Sequence, residues 1–385
     1  MSRFERIHVR GFRRLRDLDL ELRPLCVLIG ANGSGKTSLL DIFSLLAASA
    51  AKGLLSKLSE LGGIASLVSL DRSSSQRMSF SLSMTMPRAN PLIYNLILFP
   101  TGVTYEIEEE TLTQQRDPNP PPFTYIKSGL GLIRYFDTAQ AMCLVPLTGD
   151  NDPRETSLAQ VPRMHAEVEE FRKGLRTPVH YHVLNVEPRA PVRLPQPLRL
   201  ATLPGKDGED LVSCLFNLRE ADRDRFEAIE DALRVAFPGF VRLDFPPVAA
   251  GTLAMTWKDS NFTRPFFMHQ LSEGTLRFLW LATLLQSPGL TAITLLDEPE
   301  VSLHPELLSL LAELMREASA RTQLIVATHA DRLIRFLEPN EVVTLDLNED
   351  GTTRANWADQ LDLEEWLKEY TLDEVWRLGR MGGRS

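Results

Sequence analysis

The chain has 385 residues, of which 43% are hydrophobic and 24% charged, an ordinary globular balance with length for a large core in one elaborated domain or two. A net charge of −9 excludes a wholly basic nucleic-acid coat and leaves open only a local basic surface. The first residues lack an apolar signal core, and the most apolar windows, 39–51 and 276–285, are short and interrupted by Asp41 and Arg277, so neither an export nor a membrane-spanning segment is expected.

In chain order, residues 4–29 read as three strands: Phe4, Ile7 and Val9, then the alternating Leu18, Leu20 and Leu22, then the continuous run Leu25-Cys26-Val27-Leu28-Ile29 of a buried parallel strand. Arg3, Arg6, Arg10, Arg13, Arg14, Arg16 and Arg23 crowd these strands against four acids, as a solvated face or as a basic surface. A helix is expected from Lys36 to about Ala51. The Ser/Gly-rich stretch 53–85 carries a strand-like piece at Met78 to Met86, and Ile93 to Tyr105 follows as another. Proline-rich 117–122 and 187–204 read as loops, 211–218 and 223–236 as helices, and 240–245 and 252–257 as strands. From Leu271 the pattern becomes regular: helices at 275–286, 305–320 and from Ala330, alternating with strands at 292–296, 323–327 and 342–345. That alternation implies a parallel sheet covered on both faces. The three cysteines, Cys26, Cys143 and Cys214, fit no metal spacing and are expected as buried thiols of a reduced, cytoplasmic protein.

Three places carry chemistry. Gly30-Ala31-Asn32-Gly33-Ser34-Gly35-Lys36-Thr37, between a buried strand and a helix, matches the phosphate-binding loop pattern G-x-x-x-x-G-K-[ST]. Its glycines turn backbone N–H groups inward around a polyphosphate, and the helix start adds its positive end. Gly30, Asn32, Gly33, Ser34, Gly35 and Ser38 are therefore expected to cradle a nucleoside triphosphate, with Lys36 on the β- and γ-phosphates and Thr37 on Mg²⁺. Next, Ile293-Thr294-Leu295-Leu296-Asp297-Glu298-Pro299 is an apolar strand that delivers two adjacent carboxylates at its C-terminal end. Asp297 is placed to hold Mg²⁺ through water and Glu298 to polarise the attacking water. Finally, Leu271-Ser272-Glu273-Gly274-Thr275 opens a helix, and Ile325-Val326-Ala327-Thr328-His329 puts a histidine at a strand end; alone, these read equally as a helix cap and a surface histidine.

Loop, helix-opening segment, twin carboxylates and histidine stand in one order, and together they resemble the nucleotide-binding domain of ABC-class ATPases. The resemblance covers about residues 1–50 and 265–350. It implies an α/β P-loop NTPase of ABC type with an antiparallel N-terminal β subdomain and an inserted α+β region. Ser272, Glu273 and Gly274 become the signature that contacts ATP held by another subunit, Ser302 to His304 the D-loop, and His329 the switch histidine beside Lys36 and Glu298 in catalysis. Ile7 to Leu15 and Glu298 to Glu306 resemble the RecF/SMC/OLD branch, and more specifically the stand-alone ATPases assigned to anti-phage defence and DNA metabolism; so does the tail 372–383. Within that branch Arg13 matches an arginine near the bound nucleotide.

The chain departs from its larger relatives. Its insertion is proline-rich without sustained heptads, which excludes the long coiled coil of SMC proteins, and the 56 residues after His329 are too few for an OLD-type nuclease domain. No Q-loop glutamine is assigned; Gln76, Gln114 and Gln115 are the candidates. The expected organisation is 1–84 as N-terminal lobe, 85–264 as insertion, 265–350 as C-terminal lobe and 351–385 as a helical tail. The implied function is an ATPase using ATP and Mg²⁺, a head-to-tail homodimer coupled to DNA through the first arginines or Arg189, Arg193 and Arg199. The alternative is a scaffold for a separately encoded nuclease or toxin, docked on the insertion or on Trp357, Trp366 and Trp376. No membrane contact is expected, and a transporter subunit is disfavoured by the Phe12-Arg13 start, the Ser-Leu-His D-loop and the insertion.

Overall fold

A computed structural model of the chain describes residues 2–69, 77–87, 89–116, 121–129, 131–137, 142–149, 151–176, 178–249, 251–348 and 351–382. Gln76 and most of the 117–122 proline run lie outside the described residues. The fold is mixed α/β, and the chain divides into two compact units: residues 1–179, 339–370 and 375–385, and residues 180–338 with 371–374.

The first unit begins with β1 (Phe4–Phe12), β2 (Leu15–Glu21), β3 (Leu25–Gly30) and α1 (Lys36–Ser49). Short helices α2 (Leu54–Glu60) and α3 (Ile64–Leu67) follow, then strands β4 (Met78–Met86), β5 (Ala89–Thr101), β6 (Thr104–Gln114), β7 (Phe123–Gly129), β8 (Leu132–Asp137) and β9 (Cys143–Pro146). These build an eight-stranded antiparallel sheet in the order β2-β1-β4-β5-β6-β7-β8-β9. Strict alternation in Met78-Ser-Phe-Ser-Leu-Ser-Met buries one face of β4, as period-two patterning requires. The single strand expected at Ile93 to Tyr105 is two: the chain turns back at Gly102, whose φ of 66° suits a tight hairpin. The position 84/85 falls within a paired hairpin, with Met84 opposite Leu92.

Helices α4 (Ser157–Gln160) and α5 (Ala166–Arg176) close this stretch. Phe171 of α5 packs on Phe4 and Tyr94 of the sheet, with ring centroids 5.7 and 5.4 Å away. Beneath them the buried Glu110 accepts hydrogen bonds from Tyr94 Oη and from the N–H groups of Ser157 and Leu158, which satisfies the start of α4.

The second unit carries β10 (Val179–Tyr181), β11 (Gln196–Pro197), α6 (Leu211–Ala221), α7 (Arg223–Ala236), β12 (Phe240–Asp244), β13 (Pro247–Ala249), β14 (Thr252–Leu253), β15 (Thr256–Asp259) and β16 (Phe266–Phe267). The strand expected over 252–257 is split, β14 joining β11 and β13 while β15 joins β12 and β16. Then come α8 (Glu273–Gln286), β17 (Ile293–Asp297), α9 (Leu307–Ser319), β18 (Gln323–Ala327) and a single-turn α10 (Asp331–Ile334) in place of a full helix. β10 lies beside β17, which pairs in parallel with β18, Asp297 opposite Ala327.

The chain re-enters the first unit with β19 (Val342–Leu347), parallel to β3, and β20 (Thr353–Trp357), antiparallel to β19. The segment from 351 is thus a strand and turns before the short α11 (Leu372–Arg377), not helical throughout. Trp357 and Trp376 are buried, donating to the carbonyls of Glu21 and Gly382, so their reading as docking residues is corrected to tail packing. Of the cysteines, Cys26 and Cys214 are buried, their thiols pushed up to about 12 and about 11 by burial, whereas Cys143 is exposed, contrary to expectation. Among the described residues no helix is long and apolar enough to cross a membrane.

Candidate functional site

In the first unit the phosphate loop joins β3 to α1. All three glycines of the loop have positive φ: 152° at Gly30, 78° at Gly33 and 106° at Gly35. A Cβ on Gly30 would come within 2.5 Å of the Leu345 carbonyl oxygen and 2.8 Å of Ser34 Oγ, and one on Gly35 within 2.7 Å of Leu15. Only glycine fits these positions. Lys36 Nζ donates to the Gly30 and Ala31 carbonyls at 2.6 and 2.9 Å, tying a buried ammonium to the loop rim. Asn32, Gly33 and Thr37 are exposed and Ser38 half-buried at the head of α1. Ser34 Oγ is buried without a hydrogen-bond partner among the described residues. Glycines at positive φ, a lysine held at the rim, an unpartnered buried Ser34 hydroxyl and an exposed Thr37 at a helix start are the groups a Mg²⁺-polyphosphate site uses, so the residues fit that ligand.

Arg13, with φ 48°, points its guanidinium at Asp41 of α1, Nη1 to Oδ2 2.6 Å. Its neighbour Arg14 is the arginine at the loop: a side chain on Gly33 would come within 3.6 Å of the Arg14 guanidinium. The sequence reading missed Arg14, although the adjacent arginines in Phe12-Arg13-Arg14 were the available signal. Gln114 is engaged in the outer sheet, donating to the Asn90 carbonyl and accepting from Tyr125 Oη, and Gln115 follows at the end of that strand; neither lies in the phosphate loop.

Two of the first-strand arginines are paired across the β1–β2 hairpin. Arg6 meets Asp19 at 2.7 Å and Arg10 meets Asp17 at 3.3 Å, while Arg23 stacks on Trp357 and bonds Asp359. Exposed pairs of this kind add little to stability. They offset the charge of Arg6 and Arg10, two of the seven arginines of this stretch.

In the second unit the parallel register carries two strand ends to the same edge. Asp297 ends β17, and the Glu298 N–H bonds the last carbonyl of β18, Ala327, at 2.8 Å. Glu298 adopts φ 50°, which turns its carboxylate toward His329, Oε1 to Nε2 3.9 Å, both side chains about two-fifths exposed. Behind them Thr328 donates to Glu300 at 2.5 Å, and burial pushes the Glu300 carboxyl up against that bond's opposing effect. Asp297 also lies beside two histidines that the sequence reading passed over, His180 and His182.

Ser272 caps α8, its Oγ accepting from the Thr275 N–H at 3.1 Å, so the bland cap is real; Glu273 and Gly274 form the first turn. Gly274 has a further reason to be glycine: a Cβ there would meet the Ser302 carbonyl oxygen at 2.8 Å. Ser302, with φ 62°, is held from the other side by Arg277, which donates to the Val301 carbonyl and to Ser302 Oγ. The turn at Ser272–Gly274 and the turn at Ser302 are therefore one packed piece. Of the connector arginines, Arg193 is spent on the carbonyls of Val186 and Leu271, while Arg199 lies 3.8 Å from Asp210.

Residues 170–335 match a family described as "AAA domain, putative AbiEii toxin, Type IV TA system", and residues 3–84 match one described as "AAA ATPase domain". No curated protein matches the sequence. Among solved structures, the chain resembles an SmcHead bound to the C-winged helix domain of ScpA, with TM-score 0.56 and 16% identity over 92% of this chain and 97% of that one. It likewise resembles the Smc head domain with an extended coiled coil, from Pyrococcus furiosus, bound to the C-terminal domain of ScpA, with TM-score 0.56 and 15% identity over 98% and 100%. A further Smc head, from Pyrococcus yayanosii, matches with TM-score 0.51 and 13% identity over 98% of this chain and all of that one. At such identities the likeness is one of fold: the chain has the architecture of an ABC/SMC-type ATPase head.

Proposed function

We propose that this protein binds ATP with Mg²⁺ and hydrolyses it as a head-to-tail homodimer, in the cytoplasm, in genome maintenance or phage defence. The observation that carries the reading is Glu298, held at positive φ with its carboxylate 3.9 Å from His329 at the end of a buried parallel strand. Backbone strain at a non-glycine residue marks a place where the side chain has to point in one direction. In this reading residues 1–84 carry the phosphate loop and 265–350 the signature, the carboxylates and the histidine, while 85–264 and 351–385 serve coupling. Gly30, Asn32, Gly33, Ser34, Gly35 and Ser38 wrap the phosphates; Lys36 neutralises developing charge; Thr37 and Asp297 hold Mg²⁺; Arg13 or its neighbour Arg14 lies over the nucleotide. Glu298 accepts a proton from the attacking water while His329 orients it. Ser272 to Gly274 of a second copy complete the site, because each chain carries one of each motif.

Of the two outputs, control of a partner effector is favoured over DNA contact through the first strands, since Arg6 and Arg10 are already neutralised by Asp19 and Asp17. Sedimentation of Glu298→Gln with and without ATP tests the assembly, and Lys36→Ala tests the nucleotide. A dimer formed only with ATP, and abolished by Lys36→Ala, is expected. A monomer under both conditions removes the homodimer, and unchanged ATP affinity in Lys36→Ala removes the nucleotide reading itself.

A further inference from the structure

His180 and His182 stand two positions apart at β10, so both imidazoles leave the same side of the chain. Their ring centroids are 3.9 Å apart. Asp297 Oδ2 lies 3.8 Å from His180 Nε2 and 3.8 Å from His182 Nδ1, and one ligand atom from each of the three falls within 4.8 Å of the others. Ligands about 2.1 Å from a tetrahedral ion sit roughly 3.4 Å from one another, so closing on a cation shortens the two Asp297 separations by about half an ångström and the separation between the histidines by at most about 1.4 Å. The surroundings are graded. The side chains of His180 and Asp297 are 6% and 18% exposed, whereas His182 is 65% exposed, which leaves one side open to water or an incoming group.

The donor set selects the ion. Mg²⁺ and Ca²⁺ prefer oxygen, while two imidazoles and a carboxylate suit borderline transition cations, among which affinity favours Zn²⁺ over Fe²⁺ and Mn²⁺. We infer that His180, His182 and Asp297 form a binding site for a divalent transition cation such as Zn²⁺, separate from the cation that accompanies a nucleotide. One consequence rests on the function proposed above: Asp297 is shared, so Zn²⁺ at the histidines withdraws it from Mg²⁺ and inhibits hydrolysis.

The test uses the full chain, freed of metal and without nucleotide, dialysed against Zn²⁺ and assayed for bound metal by mass spectrometry. Co²⁺ in parallel reports imidazole coordination by its visible absorption. One ion per chain is expected, with affinity lower by about tenfold or more in His182→Ala, an exposed position whose folding is checked by circular dichroism. No uptake by the wild type, or equal uptake by the variant, overturns the site. Lys36→Ala is expected to keep its Zn²⁺, so loss of the nucleotide reading leaves this test standing. In the ATPase assay Zn²⁺ should inhibit the wild type and spare His182→Ala; equal inhibition of both overturns the coupling.

Discussion

In the phosphate-loop unit the sharp backbone turns of the site fall on Gly30, Gly33 and Gly35; in the carboxylate unit they fall on Glu298 and Ser302. The loop presents backbone N–H groups, so it can use the one residue for which positive φ is free. The carboxylate turn has to present a side chain, and a left-handed non-glycine residue costs about 1–2 kcal/mol. Arg13 follows the second rule inside the first unit, its φ of 48° carrying the guanidinium to Asp41. In the proposed site the chain thus bends cheaply at glycines where a peptide group would serve, and under strain at Glu298, where a side chain would.

The contrast can be broken most sharply at Gly30. Gly30→Ala drives a methyl group into the Leu345 carbonyl and is expected to lose about 3 kcal/mol or more, with loss of nucleotide binding, read by thermal melting and ATP titration. A destabilisation below about 1 kcal/mol would show that the close approach is not real. The next test exchanges the rules: Gly33→Ala should cost about 1 kcal/mol, whereas Glu298→Gly should stabilise by about 1 kcal/mol while hydrolysis is lost. If both variants shift the melting temperature in the same direction, strain does not distinguish the two units. The smallest effect concerns Glu300. Its folded carboxyl has a raised pKa, so the folded state holds the proton more tightly than the unfolded state, and stability falls as pH rises from the usual carboxylate range through the folded value. Glu300→Gln keeps an acceptor for Thr328 and should gain up to about 1 kcal/mol at neutral pH and nothing in acid, seen by calorimetry across pH.

Much of the architecture was legible because it is written locally. The run Leu25 to Ile29, the glycine spacing after it and the apolar strand ending in Asp297-Glu298 each state their roles within a few residues, and the alternation of Met78 to Met86 gives its buried face directly. What stayed hidden depends on register between distant segments. Arg6 faces Asp19 only once β1 and β2 pair, so neutralisation cannot be read from a count of arginines. Thr252 to Trp257 reads as one strand because its composition is continuous, yet it serves two sheets. His180 and His182 gain meaning only from Asp297, far along the chain, and the choice between Arg13 and Arg14 turns on which one Asp41 captures.

The loop is also held from behind by late parts of the chain. Thr353 Oγ1 donates to the Ser34 carbonyl at 2.9 Å across 319 positions, and β19 lays its Leu345 carbonyl beside Gly30. On the ribosome, the segment that looks ready to grip phosphate emerges early yet lacks its buttress until β19 and β20 have left the exit tunnel. A nascent chain released only as far as β18 therefore carries the glycine loop without the Leu345 and Thr353 contacts that hold it in shape.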